Sequence, residues 1–415
     1  MSQHLDAEVI VVGGGPAGAS TACALAREGV DVLILDRARF PRDKVCAEYL
    51  SPQASRILSD MAVLDDIEAT GPAHLRGMKV GAPNGLFAVG EFAANHGFRG
   101  FRDKGLAVRR TILDEIVLGG AKKAGARVEE AMRVVDLVRN GSPRVSGVSV
   151  MDPDGQQRTL RARYVVGADG LRSIVGRRLG LVRTSRIWPR RIALVTHYRK
   201  VQGVTDIGEM HVDHDGYFGI VDVGGGMMNV AVVIPQSRAQ EIGSDKTAFL
   251  EEWIAARPHL AERFVGAERL TPARATGPFA TVSRRAWAPG AALVGDAADF
   301  FDPFTGEGIY AALRGGELLA PFLIEALGGA REEESVLAGY DRARKREFGG
   351  KWKLERIVGM AIAYPWFVNN AAKALSKRKD LADLLVGVAG DFIPPRLVLN
   401  PRFLFTLFIS PAFRP

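Results

Sequence analysis

The chain has 415 residues, a length that allows two or three domains. Hydrophobic residues make up 47% and charged residues 25%, proportions that are ordinary for a globular protein and exclude wholesale disorder. Two cysteines exclude a disulfide framework and a structural zinc cluster, and so few are typical of a reducing compartment. The net charge of +8 favours anionic partners, but no zinc-finger spacing or RNA-binding signature accompanies it, so we expect no nucleic-acid binding.

Neither a targeting segment nor a membrane span is expected. Residues 1–8 contain no basic region of the kind that precedes a signal peptide core, and the apolar run at residues 9–12 is too short to cross a bilayer. No later stretch reaches about 18 uninterrupted apolar residues. We therefore expect a cytoplasmic protein.

The N-terminal region has the pattern of a strand, a glycine turn, a helix and a second strand. The β-branched run at residues 8–12 enters a G-x-G-x-x-G motif formed by Gly13, Gly15 and Gly18. Gly13 permits the tight turn, Gly15 lets backbone N–H groups approach a pyrophosphate, and Gly18 lets the helix pack on the strand. The second strand ends at Asp36, which can accept hydrogen bonds from ribose hydroxyls. The motif predicts a bound dinucleotide without distinguishing NAD from FAD.

Two later stretches favour FAD. A strand at residues 162–167 runs into an Asp-Gly turn at Asp169. A further strand ends in the Gly-Asp pair that contains Asp296, and a loop at residues 302–308 then leads into a helix. Together with the first motif, these stretches resemble the flavoprotein family that contains aromatic hydroxylases, flavin-dependent halogenases and geranylgeranyl reductases. Arg110 lies in a match to the same family's Arg-x-x-Leu/Phe-Asp helix start.

The resemblance implies a set of contacts with FAD. In this family the Asp of the Gly-Asp pair binds the ribityl chain, which maps to Asp296, and the loop that follows passes beside the isoalloxazine. The next helix directs its N-terminus at the pyrimidine edge, where a positive helix end stabilises the anionic reduced flavin. The predicted cofactor-binding residues are Gly13, Gly15, Gly18, Asp36, Arg37, Arg110, Asp169, Asp296, Pro303, Gly306, Glu307 and Gly308.

The candidate catalytic residues are Cys46 and Tyr217. Residues 41–46 resemble the Pro-Arg-x-Lys-x-Cys stretch of geranylgeranyl reductases, whose Cys lies close to the flavin, although Ala47 rather than Gly follows it here. Cys46 is interpreted either as a thiol that works beside the flavin or as a packed, inert side chain. The strand at residues 217–222 lacks the Trp and Pro of the reductases' Tyr-x-Trp-x-Phe-Pro motif, which leaves room for a bulkier or ring-shaped substrate.

The reaction stays open between two outcomes. The predicted enzyme takes hydride from transiently bound NAD(P)H and acts on a small hydrophobic substrate. Return of the hydride to a C=C bond of an isoprenoid- or polyketide-like substrate gives a reductase, whereas reaction with O2 gives a hydroxylase or epoxidase. The halogenases' Trp-x-Trp-x-Ile-Pro motif has no counterpart, because Trp188 stands alone. A flavin-binding protein without catalysis is the remaining alternative.

The predicted fold class is α/β, with a Rossmann-type FAD-binding domain interleaved with an antiparallel β-sheet substrate domain and a C-terminal helical region. Short strands separated by glycine turns form the substrate sheet at residues 192–198, 207–212, 217–223 and 227–234. The predicted boundaries are residues 1–75, 100–184 and 271–345 for the FAD-binding domain, 76–99 and 185–270 for the substrate domain, and 346–415 for the C-terminal region.

No metal site is predicted. His211 and His214 have a spacing that a metal could use, but they fall in a strand–turn region where a solvated β-turn is the better interpretation.

The C-terminal region is basic and aromatic. It contains clusters of Lys and Arg, and no acidic residue follows Asp391. One interpretation is peripheral contact with an anionic membrane or a carrier that delivers an apolar substrate. The other is a helical lid packed on its own core, with the basic side chains simply solvated.

Overall fold

The computed structural model describes residues 4–94, 96–185 and 187–408. The strands in these ranges are β1 (Ala7–Val12), β2 (Val32–Leu35), β3 (Tyr49–Leu50), β4 (Ala73–Leu75), β5 (Gly77–Gly81), β6 (Phe87–Glu91), β7 (Gly105–Ala107), β8 (Arg127–Glu129), β9 (Arg133–Arg139), β10 (Val145–Met151), β11 (Gln157–Gly167), β12 (Val182–Thr184), β13 (Arg191–Arg199), β14 (Ile207–Asp213), β15 (Gly216–Asp222), β16 (Met227–Pro235), β17 (Glu268–Arg269), β18 (Arg274–Thr276), β19 (Thr281–Ser283), β20 (Trp287–Ala288) and β21 (Ala291–Leu293). The helices are α1 (Pro16–Arg27), α2 (Ala54–Asp60), α3 (Leu64–Glu68), α4 (Arg110–Lys123), α5 (Ile174–Arg178), α6 (Lys246–Ala255), α7 (Pro258–Ala261), α8 (Gly308–Gly328), α9 (Glu333–Ile362), α10 (Pro365–Leu375), α11 (Lys379–Ala389) and α12 (Pro401–Phe408).

The first large sheet carries the glycine motif. β1 runs parallel to β11 on one side and to β2 on the other, and β21 and β8 extend the parallel arrangement outward. Val9, Ile10 and Val11 have no exposed surface, as expected for a β-branched strand buried in a parallel sheet. α1 packs against α4 and α8. The Rossmann-type arrangement predicted from the sequence is therefore confirmed.

The second large sheet has the strand order β17-β13-β16-β15-β14-β5-β6, with β18 also pairing with β13. Each of its four predicted strands, now β13 to β16, starts and ends within one residue of the prediction. These four pair antiparallel where they are neighbours, but β5 lies parallel to β14. A parallel neighbour is possible because β5 arrives from a distant part of the chain rather than through a tight turn.

The C-terminal helices pack against both parts of the molecule. α9 lies against α8, and α11 lies against β6 at the edge of the second sheet. Tyr364 and Trp366, at the start of α10, are 54% and 58% exposed. No helix in the described ranges combines the length and the apolar character that a membrane span requires. Contact with a lipid surface or a carrier stays a prediction, as do the exact domain boundaries.

Candidate cofactor and substrate site

A cavity of about 980 Å³ lies between the carboxyl ends of β1, β2 and β11 and one face of the second sheet. We call its two sides the cofactor wall and the sheet wall. The cofactor wall includes Gly13, Gly15, Asp36, Arg37, Arg42, Lys44, Arg110, Asp169, Asp296, Pro303, Gly306 and Gly308. The sheet wall includes Ala193, Val195, Met210, Tyr217, Gly219, Asn229, Ala231 and Val233. All predicted cofactor residues except Gly18 and Glu307 line this cavity, and so do Cys46 and Tyr217.

The three motif glycines form a cradle, but they differ in what restricts them. A Cβ at Gly18 would lie 1.8 Å from the Gly13 carbonyl oxygen, and a Cβ at Gly13 would lie 2.5 Å from the oxygen of Ala168. Both glycines are therefore required by the packing of the protein itself. A Cβ at Gly15 would meet only the Arg42 guanidinium, at 3.2 Å. Gly15 thus leaves open space at the start of α1, where a pyrophosphate can approach the helix N-terminus.

Asp36 holds the glycine turn in place. Its carboxylate accepts hydrogen bonds from the Gly14 N–H at 2.7 Å and from the Ala38 N–H at 2.8 Å. The residue is 7% exposed and lies at the cavity, at the end of β2. A carboxylate offers about four acceptor positions, so capacity remains for ribose hydroxyls.

Asp169 and Asp296 supply further oxygen atoms on the cofactor wall. Asp169 Oδ2 accepts a hydrogen bond from the Ile174 N–H at 2.6 Å, whereas its buried Oδ1 has no hydrogen-bond partner among the described residues. Burial raises the pKa of Asp169. Asp296 lies 3.8 Å from Lys44 Nζ, and its side chain is 24% exposed. An orphaned acceptor and an open glycine cradle fit a cofactor that brings hydroxyl donors and a pyrophosphate.

Comparisons with known proteins agree with a dinucleotide cofactor bound at this glycine cradle. A family model described as an FAD binding domain matches residues 6–349. This chain belongs to that FAD-binding family. FAD is its cofactor, and the chain is an FAD-dependent oxidoreductase of the superfamily that contains the geranylgeranyl reductases.

Similar proteins cover nearly the whole chain. Menaquinone reductase from Mycobacterium tuberculosis is 29% identical over 417 residues, which cover 95% of this chain and 93% of that protein. Digeranylgeranylglycerophospholipid reductase 1 from Methanopyrus kandleri is 30% identical over 367 residues, with coverages of 85% and 90%. The solved structure of the myxobacterial chondrochloren halogenase CndH superposes with a TM-score of 0.77 at 24% identity, covering 87% of this chain and 83% of that chain. The last comparison shows a shared fold.

In this flavoprotein, the loop after Asp296 turns sharply into α8. Gly306 has φ +72°, and a Cβ there would lie 2.9 Å from the Tyr49 ring, so both the backbone conformation and the packing require glycine. Pro303, Gly306 and Gly308 line the cavity, and α8 begins at Gly308. The positive end of a 21-residue helix therefore lies at the cofactor wall. Its contact with the pyrimidine edge of the flavin, which the resemblance implies, stays a prediction.

Glu307 occupies a different environment from its neighbours in this loop. Its carboxylate is buried and lies 3.4 Å from Lys351 Nζ on α9, and Lys351 also pairs with Asp391. Burial raises the pKa of Glu307, although Lys351 opposes the shift. The side chain thus anchors the start of α8 to the C-terminal helices. Its contact with the cofactor stays a prediction.

Arg110 forms a buried bidentate pair with Asp114, in which Nε and Nη2 each donate at 2.7 Å. Arg42 makes a second ion pair with the same carboxylate at 2.7 Å. Burial lowers the pKa of Arg110, but Asp114 and the adjacent Cys46 outweigh it and raise this pKa above the usual value. Arg110 therefore stays charged beside the Cys46 thiol at the edge of the cavity.

Tyr217 lies on β15, belongs to the sheet wall and is almost fully buried. Its hydroxyl donates to Asp302 Oδ1 at 2.8 Å, and its ring makes an edge contact with Phe304, with centroids 5.2 Å apart. Burial and, next, the charge of Asp302 raise the pKa of Tyr217 well above its ordinary value, opposed by Arg191. The hydroxyl stays protonated and donates its hydrogen bond to Asp302. The ring is therefore the part of Tyr217 that faces the cavity.

A buried polar cluster beside Cys46 was not predicted from the sequence. Glu48, His197 and Asn229 come together there, although 149 positions separate Glu48 from His197. The one signal in the sequence was the departure from the reductase pattern after Cys46, where Glu48 falls.

The predicted absence of a metal site concerns His211 and His214. His211 Nε2 lies 2.9 Å from Glu209 on the same strand, and His214 follows β14 in the turn before β15. No group of three or more metal-ligating side chains occurs among residues 4–94, 96–185 and 187–408.

Proposed function

We propose that this FAD-dependent oxidoreductase uses NAD(P)H to reduce a carbon–carbon double bond in a bulky apolar substrate. The observation that carries the proposal is the composition of the sheet wall. Gly219 on β15 pairs directly with Ala231 on β16, and Ala193 on the next strand also lines the cavity. These small, apolar side chains leave space in the cavity for a wide substrate. Burying an apolar substrate there is favourable by about 25 cal/mol per Å².

The relatives support reduction over oxygenation. Two proteins that are 29% and 30% identical to this chain, over 95% and 85% of its length, are named as reductases. One acts on menaquinone and the other on a digeranylgeranylglycerophospholipid, according to their names. The glycine at position 219 favours a substrate with a wider group than a single chain.

The chain's own residues divide the work in this proposal. Once bound, FAD would supply the hydride, which it receives from NAD(P)H. Gly15 and the first turn of α1 would hold the pyrophosphate, and the N-terminus of α8 would stabilise the negative charge of the reduced cofactor. Saturation of a C=C bond also needs a proton, which we assign to Cys46 Sγ. The neighbouring Arg110 stabilises the thiolate that remains after transfer.

Anaerobic turnover tests the proposal. Purified, FAD-loaded enzyme is mixed under argon with NADPH or NADH and either menaquinone or a geranylgeranyl lipid. We expect oxidation of the nicotinamide coupled to a product that has gained two hydrogen atoms, and no reaction without the nicotinamide.

The monooxygenase alternative gives the opposite pattern. An oxygenase is inactive without O2 and, under ¹⁸O2, incorporates one labelled oxygen atom into the product. That result would overturn the proposed reduction.

A further inference from the structure

The carboxylate of Glu48 is buried where the cofactor wall meets the sheet wall. Its residue has no exposed surface and adopts φ +61°, a conformation that is uncommon for any residue but glycine. Oε1 accepts a hydrogen bond from the Arg110 N–H at 2.8 Å. Oε2 lies 2.8 Å from His197 Nε2 and accepts from Asn229 Nδ2 at 3.0 Å. One side chain thus joins α4 to two strands of the second sheet.

Every neighbour of this carboxylate presents a donor. A carboxylate only accepts hydrogen bonds, so His197 carries its proton on Nε2, and its Nδ1 lies 3.1 Å from the Thr271 hydroxyl. Arg109 Nε lies 3.5 Å from Oε1 and offsets the buried charge. A neutral amide of the same shape would place an NH2 group against an N–H group in either orientation. The donors around position 48 therefore match the acceptors of a carboxylate and not those of an amide.

The same cluster holds Cys46 in two places. Asn229 Nδ2 donates to the Cys46 carbonyl oxygen at 2.9 Å as well as to Glu48. The Glu48 N–H donates to Cys46 Sγ at 3.3 Å. Cys46, Glu48 and Asn229 all line the cavity. The backbone and the thiol of Cys46 are consequently fixed by groups from both walls.

We propose that Glu48 is a positioning residue that, together with Asn229, fixes the Cys46 thiol at the junction of the two walls. The catalytic use of that thiol rests on the proposed function. Its position does not, and thiol chemistry can measure it without any substrate.

The test is the rate at which iodoacetamide alkylates Cys46 in the FAD-loaded protein, followed by peptide mass spectrometry. Glu48→Gln should accelerate alkylation about two- to tenfold, the change that corresponds to one net hydrogen bond. The thiol becomes more mobile, because the buried donors around position 48 lose the carboxylate that holds them in place. Glu48→Asp retains the carboxylate and should restore part of the slow rate. Cys23 is buried, burial raises its pKa, and it serves as the internal reference.

Two further variants complete the test. Glu251→Gln removes an exposed carboxylate on α6 that pairs with Arg269, and it should leave the Cys46 rate unchanged. Asn229→Ala removes the bond to the Cys46 carbonyl without touching the Glu48 backbone, and it should also accelerate alkylation.

Wild-type alkylation rates in both Glu48→Gln and Asn229→Ala would overturn the positioning role. If Glu48→Gln does not fold, the alkylation rate of Asn229→Ala alone decides whether the positioning role stands. Failure of anaerobic reduction would reject the proposed function and leave the alkylation result standing.

Discussion

At the scale of single residues, Gly15 differs from the other motif glycines because a Cβ there would meet only the flexible Arg42 side chain and no backbone atom. Its backbone, at φ −74° and ψ −176°, suits any L residue. We expect Gly15→Val to fold and to lose FAD, since the valine side chain would fill the space in which we predict the pyrophosphate. Flavin absorbance of the purified protein and its far-UV circular dichroism measure the two properties.

Gly18→Ala is the contrasting variant. Its Cβ would collide with the Gly13 carbonyl, so it should impair folding itself. A yellow, fully loaded Gly15→Val protein would show that the pyrophosphate lies elsewhere.

Asp36 combines a structural and a binding contribution. Asp36→Ala would remove the charge-assisted hydrogen bonds that we predict to the ribose, which at about 1.5–3 kcal/mol correspond to roughly tenfold to hundredfold weaker FAD affinity. It also frees the Gly14 N–H, which the carboxylate now binds. Titration calorimetry of the apoprotein with FAD provides the measurement. Asp31→Ala, an exposed position that pairs with Arg127, is the matched control and should bind FAD normally.

At the scale of secondary-structure elements, Glu209 links β14 to neighbouring elements through hydrogen bonds and ion pairs. Burial raises the pKa of Glu209, but bonds with His211 and Arg263 and the charge of Lys79 outweigh burial and lower it to about 2. Because the folded-state pKa lies below its ordinary value of 4.5, the stabilisation is complete above about pH 4.5 and is lost as the pH falls toward 2. The shift corresponds to about 3 kcal/mol.

Glu209→Gln should therefore lower the free energy of unfolding at pH 7 by about 3 kcal/mol, and the deficit should shrink steadily between pH 4.5 and 3. Urea denaturation at several pH values measures this difference. A deficit independent of pH would contradict the assignment.

Gly219 on β15 has no side chain, and it therefore sets the width of the cavity at the sheet wall. A Cβ there would meet the flexible side chain of Met210 at 3.0 Å, so a larger residue can be accommodated by movement of that side chain. Gly219→Trp should raise KM for a bulky substrate about 5- to 150-fold, in line with the loss of about 1–3 kcal/mol of apolar contacts. Flavin reduction by NAD(P)H should be unchanged in stopped-flow absorbance.

Gly119→Leu, in α4 with no atom within 4 Å of its Cβ position, is the control for Gly219→Trp. Equal KM values for Gly219→Trp and the wild type would place the substrate elsewhere.

The elements differ in how far the sequence could predict them. β13 to β16 were predictable because they are short runs rich in apolar residues and are separated by turns that contain glycine. The parallel pairing of β5 with β14 was not, since nothing local in residues 77–81 specifies a partner more than a hundred positions away. In the site, the motifs predicted the cofactor wall, because glycine spacing is a local signal. The cluster of Glu48 with His197 depends on tertiary contacts and has no local signal.

At the scale of the whole molecule, Arg191 connects three regions. From β13, its Nη1 pairs with Asp302 in the loop at residues 302–308 at 2.5 Å, and its Nη2 donates to the Gly359 carbonyl on α9 at 2.7 Å. Arg191→Leu leaves the Asp302 charge buried without its cation, which costs about 3–5 kcal/mol. Arg191→Leu combined with Asp302→Asn should lose less stability than the two single variants together.

Denaturant unfolding of these Arg191 and Asp302 variants measures the coupling. Arg269→Leu, which breaks an exposed pair with Glu251, should cost under about 1 kcal/mol. Additive effects of the two buried substitutions would argue against a shared link.

The position of β5 and β6 in the second sheet also constrains how the chain folds as it is synthesised. The hairpin of β5 and β6 ends at Glu91, and β14, the strand that pairs with β5, begins only at Ile207. At about 5–20 residues per second, a ribosome needs roughly 6–23 s to make the intervening segment. During that interval the β5 edge has no strand to pair with, and it is available to any other extended chain. The period of greatest risk of misassembly therefore falls before residue 207 leaves the ribosome.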